Sequence, residues 1–180
     1  MPKYIALLRG INVSGQKIIK MDALRTSLAK LDYGHIQAYI QSGNVIFESV
    51  CMDQVQLQDE IHQNILDTFG FDVPVLVRSQ QEWKQAFENN PFINERQEAI
   101  EKCYVTLLSQ EPDEGNMEAL KSFHKGPEEF IKEGLNLYLL YPNGAGRSKL
   151  DHNAIERKLK VAATTRNWKT MTKLMQMVIG

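Results

Sequence analysis

IQAYIQSGNVIF, residues 36–47, holds two β-type runs, 36–40 and 44–47, on either side of Gln41, Ser42 and Gly43. Glycine reaches the positive φ of a tight reversal without strain, and Ser or Asn beside it bonds its own backbone, so the stretch is predicted to be a β-hairpin. Upstream, Met21, Leu24, Leu28 and Leu31 recur at helical spacing, with Asp22 suited to the first turn, and a short apolar run at 4–9 precedes them. Downstream, Val55, Leu57, Ile61, Ile65, Leu66 and Phe69 predict a helix over 54–69 that Gly70 ends, followed by a β-branched run at 73–77 that begins around Pro74. A further helix runs from 79 to about 88, where Pro91 stops the pattern. A hairpin between two helices turns an ordinary βαβ reading into βαββαβ.

The second half repeats that order. Strand 103–108, helix 116–123, a hairpin of 129–132 and 135–141 around Glu133 and Gly134, helix 149–159, strand 163–166 and helix 168–178 follow in turn. YIALL at 4 matches YVTLL at 104, Gly43 matches Gly134, and Trp83-Lys84 matches Trp168-Lys169. The predicted fold class is therefore α+β: two consecutive ferredoxin-like βαββαβ units with antiparallel sheets, each followed by an extra helix, related by internal duplication. The halves are expected at 1–92 and 93–180, packed as one compact protein. From the connection rules, the loop leaving the first strand and the hairpin are expected at opposite ends of one sheet, so that 10–20 and 42–44 could share a site only across the two copies.

With 180 residues and 43% hydrophobic content, the chain is long enough for one large domain or two small ones sharing a core. No apolar run approaches the roughly 18 residues of a membrane span, and the N-terminus enters a strand directly, which predicts a cytoplasmic protein with no membrane partner. Cys51 and Cys103 have no partners at metal-ligand spacing and read as ordinary thiols, Cys103 buried beside Tyr104. The net charge of −1 conceals +5 over residues 1–30, +6 over 147–173 and −12 over the remainder. Such segregation suits an anionic partner if the ends meet in space; two solvated basic helices would give the same count.

LRGINVSG at 8–15, YIQSGNVIF at 39–47, VLVRS at 75–79, RSKL at 147–150 and ATTRNW at 163–168 lie in order along nearly the whole chain. Together they resemble the bacterial family named domain of unknown function 1697. That resemblance implies a soluble α/β fold and a set of signature positions, and it supplies no mechanism. Residues 94–127 carry no signature.

Gly10 and Gly15 have the spacing of a Walker A loop, but Gln16 stands at the lysine position and no Ser or Thr follows Lys17, which excludes an NTPase of that type. A looser anion loop is left, since Arg9, Asn12, Ser14, Lys17 and Lys20 are donors grouped before a helix; glycine turns with solvated side chains are the other reading. Gln41, Ser42 and Asn44 are either turn residues or donors. Thr164, Thr165, Arg166 and Asn167 end a strand before a helix, where Asn167 or Thr165 could cap and Arg166 could grip a carboxylate or phosphate, or form an internal salt bridge. In GAGRSKL, Ser148 is the expected N-cap, with Arg147 and Lys149 beside it. The four histidines are scattered, so no metal is expected, and no residue pair announces acid–base or nucleophilic work, which leaves catalysis open and no cofactor implied. Tyr4, Phe47, Tyr104 and Tyr138 are too few for an RNA-stacking sheet and read as core. The leading expectation is a small anionic ligand, a nucleotide or phosphorylated metabolite, held between the halves by Arg9, Asn12, Lys17, Ser42, Asn44, Ser148, Lys149, Arg166 and Asn167. A nucleic-acid-binding protein and a protein-interaction module without ligand are the alternatives. The oligomeric state is not legible.

Overall fold

Strand β1 (Lys3–Leu8) is followed by α1 (Met21–Leu28), β2 (Gly34–Tyr39), β3 (Asn44–Glu48), α2 (Gln54–Phe69), β4 (Val75–Ser79) and α3 (Gln80–Glu88) in the computed structural model, which describes all 180 residues. The four strands form one antiparallel sheet in the order β2-β3-β1-β4. Tyr4, Ala6, Leu8, Val45, Phe47 and Val77 on one face share a core with Leu24, Leu28, Leu57, Ile61 and Ile65 of the two helices. Ile5, Leu7, Ile46 and Leu76, on the other face, are buried as well. A sheet covered on both sides needs unbroken apolar strands, which is why 4–8 reads as a continuous run instead of alternating.

Local chemistry sets the element ends. The Asp53 carboxylate caps α2, accepting from the N–H groups of Val55 and Gln56 at 2.9 and 3.2 Å, and Gly70 closes it in the left-handed region at φ +74°. Helix α1 stops at Leu28, three residues earlier than its apolar spacing suggests, because Lys30 and Leu31 donate to the carbonyls of Ser27 and Leu28 in a tighter turn; Leu31 still packs on the core. Strand β4 starts at Val75, two residues late, since Pro74 has no N–H to give the ladder and pairing begins with Val75 opposite Leu8. Ser79 and Glu82 then form a capping box for α3, with Glu82 N–H on Ser79 Oγ at 3.2 Å and Ser79 N–H on Glu82 Oε2 at 2.8 Å.

Helix α3 ends at Glu88, before Pro91, as expected, and Pro91 itself starts a further short helix. It occupies the first turn of α4 (Pro91–Asn94), where a missing N–H is no loss, and Asn90 caps it by accepting from Phe92 N–H at 3.0 Å. A short 3-10 turn over Ile100–Lys102 leads into β5 (Cys103–Leu108), α5 (Glu114–Phe123), β6 (Glu129–Glu133), β7 (Asn136–Leu140), α6 (His152–Leu159), β8 (Ala163–Asn167) and α7 (Trp168–Ile179). The second sheet has the order β6-β7-β5-β8, again antiparallel, and its core joins Leu108, Leu137, Leu139 and Ala163 to Leu120, Ile155 and Leu159. Cys103 is fully buried at the start of β5, and burial, with help from Glu98 and Glu101, pushes its thiol up to about 11. The chain thus forms two similar α+β halves, each a βαββαβ unit followed by a helix. By contacts it divides into two compact units, Met1–Gln85 with Lys173–Gly180, and Ala86–Thr172. No helix is long and apolar enough to cross a membrane.

The registers of the two sheets coincide: Tyr4 pairs with Ser79 and Leu8 with Val75, as Tyr104 pairs with Asn167 and Leu108 with Ala163. This corrects two of the expected correspondences. Leu8 N–H donates to Gly43 O and Leu108 N–H to Leu135 O, so Gly43 is the counterpart of Leu135, not of Gly134. Trp168 opens α7 directly after Asn167, whereas Trp83 lies nearly one turn into α3, so the tryptophans are not equivalent.

The expected separation of the first loop from the hairpin is also overturned. Helix α1 carries the chain back, β2 runs parallel to β1, and β3 returns antiparallel to both, with Leu7 opposite Asn44. The end of β1 therefore meets the hairpin turn at the same end of one sheet, and Asn12 Nδ2 reaches Gln41 O at 2.7 Å.

Candidate functional site

Residues 9–20 and the hairpin turn form one strained end of the first sheet. Positive φ occurs at Gly10, Asn12, Ser14, Gly15, Lys17, Ile40 and Gly43. Asn12 holds this end together: its Nδ2 donates to Ile19 O at 2.9 Å as well as to Gln41 O, and its Oδ1 accepts from Ile19 N–H at 2.8 Å. Asn44 is fully buried and donates to Tyr39 O and to Ser42 Oγ at 3.0 and 3.2 Å. Lys17 Nζ donates to Asp72 O at 2.5 Å, and the Asp72 carboxyl is held below its usual range by its hydrogen bond from His62, against desolvation, with the charges of His62 and Lys17 adding to it. Arg9 is half-buried, and its backbone N–H donates to Pro74 O at 3.0 Å. The side-chain amides of Asn12 and Asn44 are thus turned onto the loop's own backbone.

In the second unit, Arg166 lies on β8 opposite Val105, on the face away from α5 and α6. Its Nη1 donates to Thr165 O at 3.0 Å, and burial lowers the guanidinium to about 10, so it is still charged at neutral pH. Asn167 is a cap, accepting from Thr170 N–H at 2.8 Å. The equivalent position of the first unit is Arg78, opposite Ile5, 6% exposed, donating to Val77 O at 3.3 Å and likewise lowered by burial, with Glu82 opposing. Sequence reasoning singled out Arg166 and missed Arg78. The signal was present, since RS at 78–79 and RN at 166–167 both set an arginine directly before the residue that caps the next helix.

A cleft of about 340 Å³ opens where β6 begins and β7 ends, because Glu129 pairs with Leu140 and brings the loop at 124–128 against the loop at 141–151. Lys125, Arg147 and Lys149 line it, with His124 and a single carboxylate, Glu128. The ion pairs of this unit, Arg96 with Glu98 and Glu129, Lys121 with Glu118, Lys132 with Glu111 and His124 with Glu128, leave those three cations aside. Ser148 does not cap α6. Asp151 does, accepting from Ala154 N–H at 2.8 Å, and the helix starts three residues later than expected. Ser148 instead braces the loop, its hydroxyl accepting from Leu150 N–H at 3.0 Å, and it favours the ionised form of Glu128. Leu150 is buried in the core and its carbonyl accepts from Tyr141 Oη at 2.5 Å, which anchors Lys149 from the next position. Burial alone would raise Glu128, but hydrogen bonds from its own N–H and from Ser148, together with His124, outweigh it and hold the carboxyl below the ordinary range.

Of the residues expected from the sequence, only Lys149 lines the cleft, with Ser148 next to it in the chain. Arg166 does not line it, and Arg9, Asn12, Lys17, Ser42 and Asn44 belong to the first unit. Lys125, His124 and Glu128 escaped the sequence reading because only the β6–β7 register brings 124–128 beside 147–150.

Residues 1–138 match the family described as Protein of unknown function (DUF1697), and the chain belongs to that family. The matched range contains LRGINVSG, YIQSGNVIF and VLVRS; RSKL and ATTRNW lie beyond it. Among solved structures, the chain is similar to the conserved bacterial protein SP0830 from Streptococcus pneumoniae, with 23% identity over 98% of each chain and a TM-score of 0.78, a likeness of fold. No curated protein matches the chain.

Proposed function

We propose that this protein binds a small anionic ligand, a nucleotide or phosphorylated metabolite, and that the cleft beside Ser148 holds its anionic group. The observation that supports this reading is the convergence of Lys125, Arg147 and Lys149 on one concavity with a single carboxylate. Three cations lining one concavity raise the local concentration of an anion, and a cleft of this size, at the small end of the roughly 300–1,000 Å³ typical of ligand pockets, suits a metabolite. The burial of Tyr4, Phe47 and Tyr138, with Tyr104 half-buried, argues against an aromatic stacking sheet for nucleic acid.

A thermal-shift screen against nucleotides and phosphorylated metabolites tests this. A ligand at 100 times its dissociation constant is expected to stabilise the protein by roughly 2.7 kcal/mol. The double variant Arg147→Glu/Lys149→Glu, at two exposed positions, is expected to lose that shift while its unliganded stability moves by no more than about 0.5 kcal/mol per site. A shift that survives the double variant, or the absence of any stabilising anion, overturns the proposal.

A further inference from the structure

Glu128 is an odd residue to find in an anion site. Its side chain is 14% exposed, it borders the cleft, and its charge opposes the attraction of the three cations for a bare phosphate. Its position is nonetheless built. His124 Nδ1 stands 4.0 Å from Oε2, and Ser148 and the residue's own backbone N–H favour the ionised carboxylate. Gly126 makes the room: a Cβ at that residue would lie 2.1 Å from Glu128 Oε2 and 3.1 Å from Cδ, so any side chain there takes the space the carboxylate occupies.

An ionised carboxylate only accepts hydrogen bonds, through about four lone-pair sites, more than the Ser148 hydroxyl and its own N–H could fill. A ligand that brings only negative charge is repelled by those that are left, whereas one that brings hydroxyl donors next to its anionic group satisfies them. Resting on the anion-binding reading above, we infer that the cleft takes a hydroxylated phosphoester, its phosphate met by Lys125, Arg147 and Lys149 and its hydroxyl groups donating to Glu128. Sugar phosphates and nucleotides share this chemistry. Glu128 is then the residue that separates them from free phosphate.

Titration calorimetry with inorganic phosphate, ribose 5-phosphate and adenosine 5′-monophosphate reads the inference directly. The wild-type protein is expected to prefer ribose 5-phosphate over phosphate by about tenfold or more, the contribution of a hydrogen bond to a charged group. Glu128→Gln is expected to shrink that ratio toward one while leaving phosphate binding unchanged or tighter. Gly126→Ala, which retains the charge but displaces the carboxylate, is expected to do the same and guards against misfolding of the first variant. Tighter binding of adenosine 5′-monophosphate than of ribose 5-phosphate identifies a nucleotide, and equal binding a sugar phosphate; each supports the inference. Phosphate bound as tightly as both esters, or a Glu128→Gln change that weakens all three alike, overturns it and leaves the anion site standing. Failure of every probe, phosphate included, removes the anion site and this inference together.

Discussion

Gly43→Ala is expected to lower the stability of the protein by ~2–5 kcal/mol, a large part of the roughly 5–15 kcal/mol that holds a domain folded. Two effects add. At φ +89° any L side chain is strained, by about 1–2 kcal/mol. A Cβ there would also stand 2.7 Å from Leu8 Cβ and 2.8 Å from Ile11 Cδ1, both fully buried side chains with nowhere to retreat, and overpacking of that kind costs about 1–3 kcal/mol. Gly134→Ala, in the hairpin of the second unit, is the control. It has positive φ but open space around it, so only the strain applies, about 1 kcal/mol. Urea midpoints of the two variants, at constant slope, give the comparison. Equal losses would remove steric closure as the reason a glycine stands at 43.

Asn12 is expected to be nearly as sensitive. Its amide makes three bonds to backbone groups of Ile19 and Gln41, and Ile19 is buried, so Asn12→Ala strands an N–H and two carbonyls at the joint between the loop and the hairpin. At about 0.5–1.5 kcal/mol for each bond, and with alanine less tolerant of φ +54° than asparagine, the loss should reach ~2–4 kcal/mol. Asn12→Gly keeps the backbone free to adopt that φ and should lose less than alanine. Asn12→Asp keeps the acceptor for Ile19 N–H but sets a carboxylate against two carbonyl oxygens, and should lose at least as much as alanine. Melting temperatures in the order Gly above Ala, with Asp lowest, identify a structural joint; variants that melt like wild type would return Asn12 to the ligand-binding candidates.

These two residues also mark what the sequence made legible. The hairpin at 36–47 and the helix over 54–69 follow from a turn glycine, apolar period and a glycine stop, all local signals, and they appear where those signals put them. Boundaries failed where one local rule overrode another: Pro74 delays β4, and Asp151 takes the cap expected at Ser148; the short helix that Pro91 starts was not foreseen. The meeting of loop and hairpin was derivable, since a helix between β1 and β2 returns the chain to run parallel to the first strand. The cleft was not. Lys125 and Glu128 stand 19 to 24 residues before Arg147 and Lys149, and only strand register makes them neighbours.

Strand β1 has a hydrogen-bonded neighbour on each edge and apolar side chains buried on each face, and β5 repeats the arrangement in the second unit. Amide protons at such positions are released to solvent only by opening of the whole unit that contains them. Deuterium uptake at Ala6 and at Leu107 therefore reports two opening free energies from one molecule, and their difference measures how far the two similar halves have come to unfold as one.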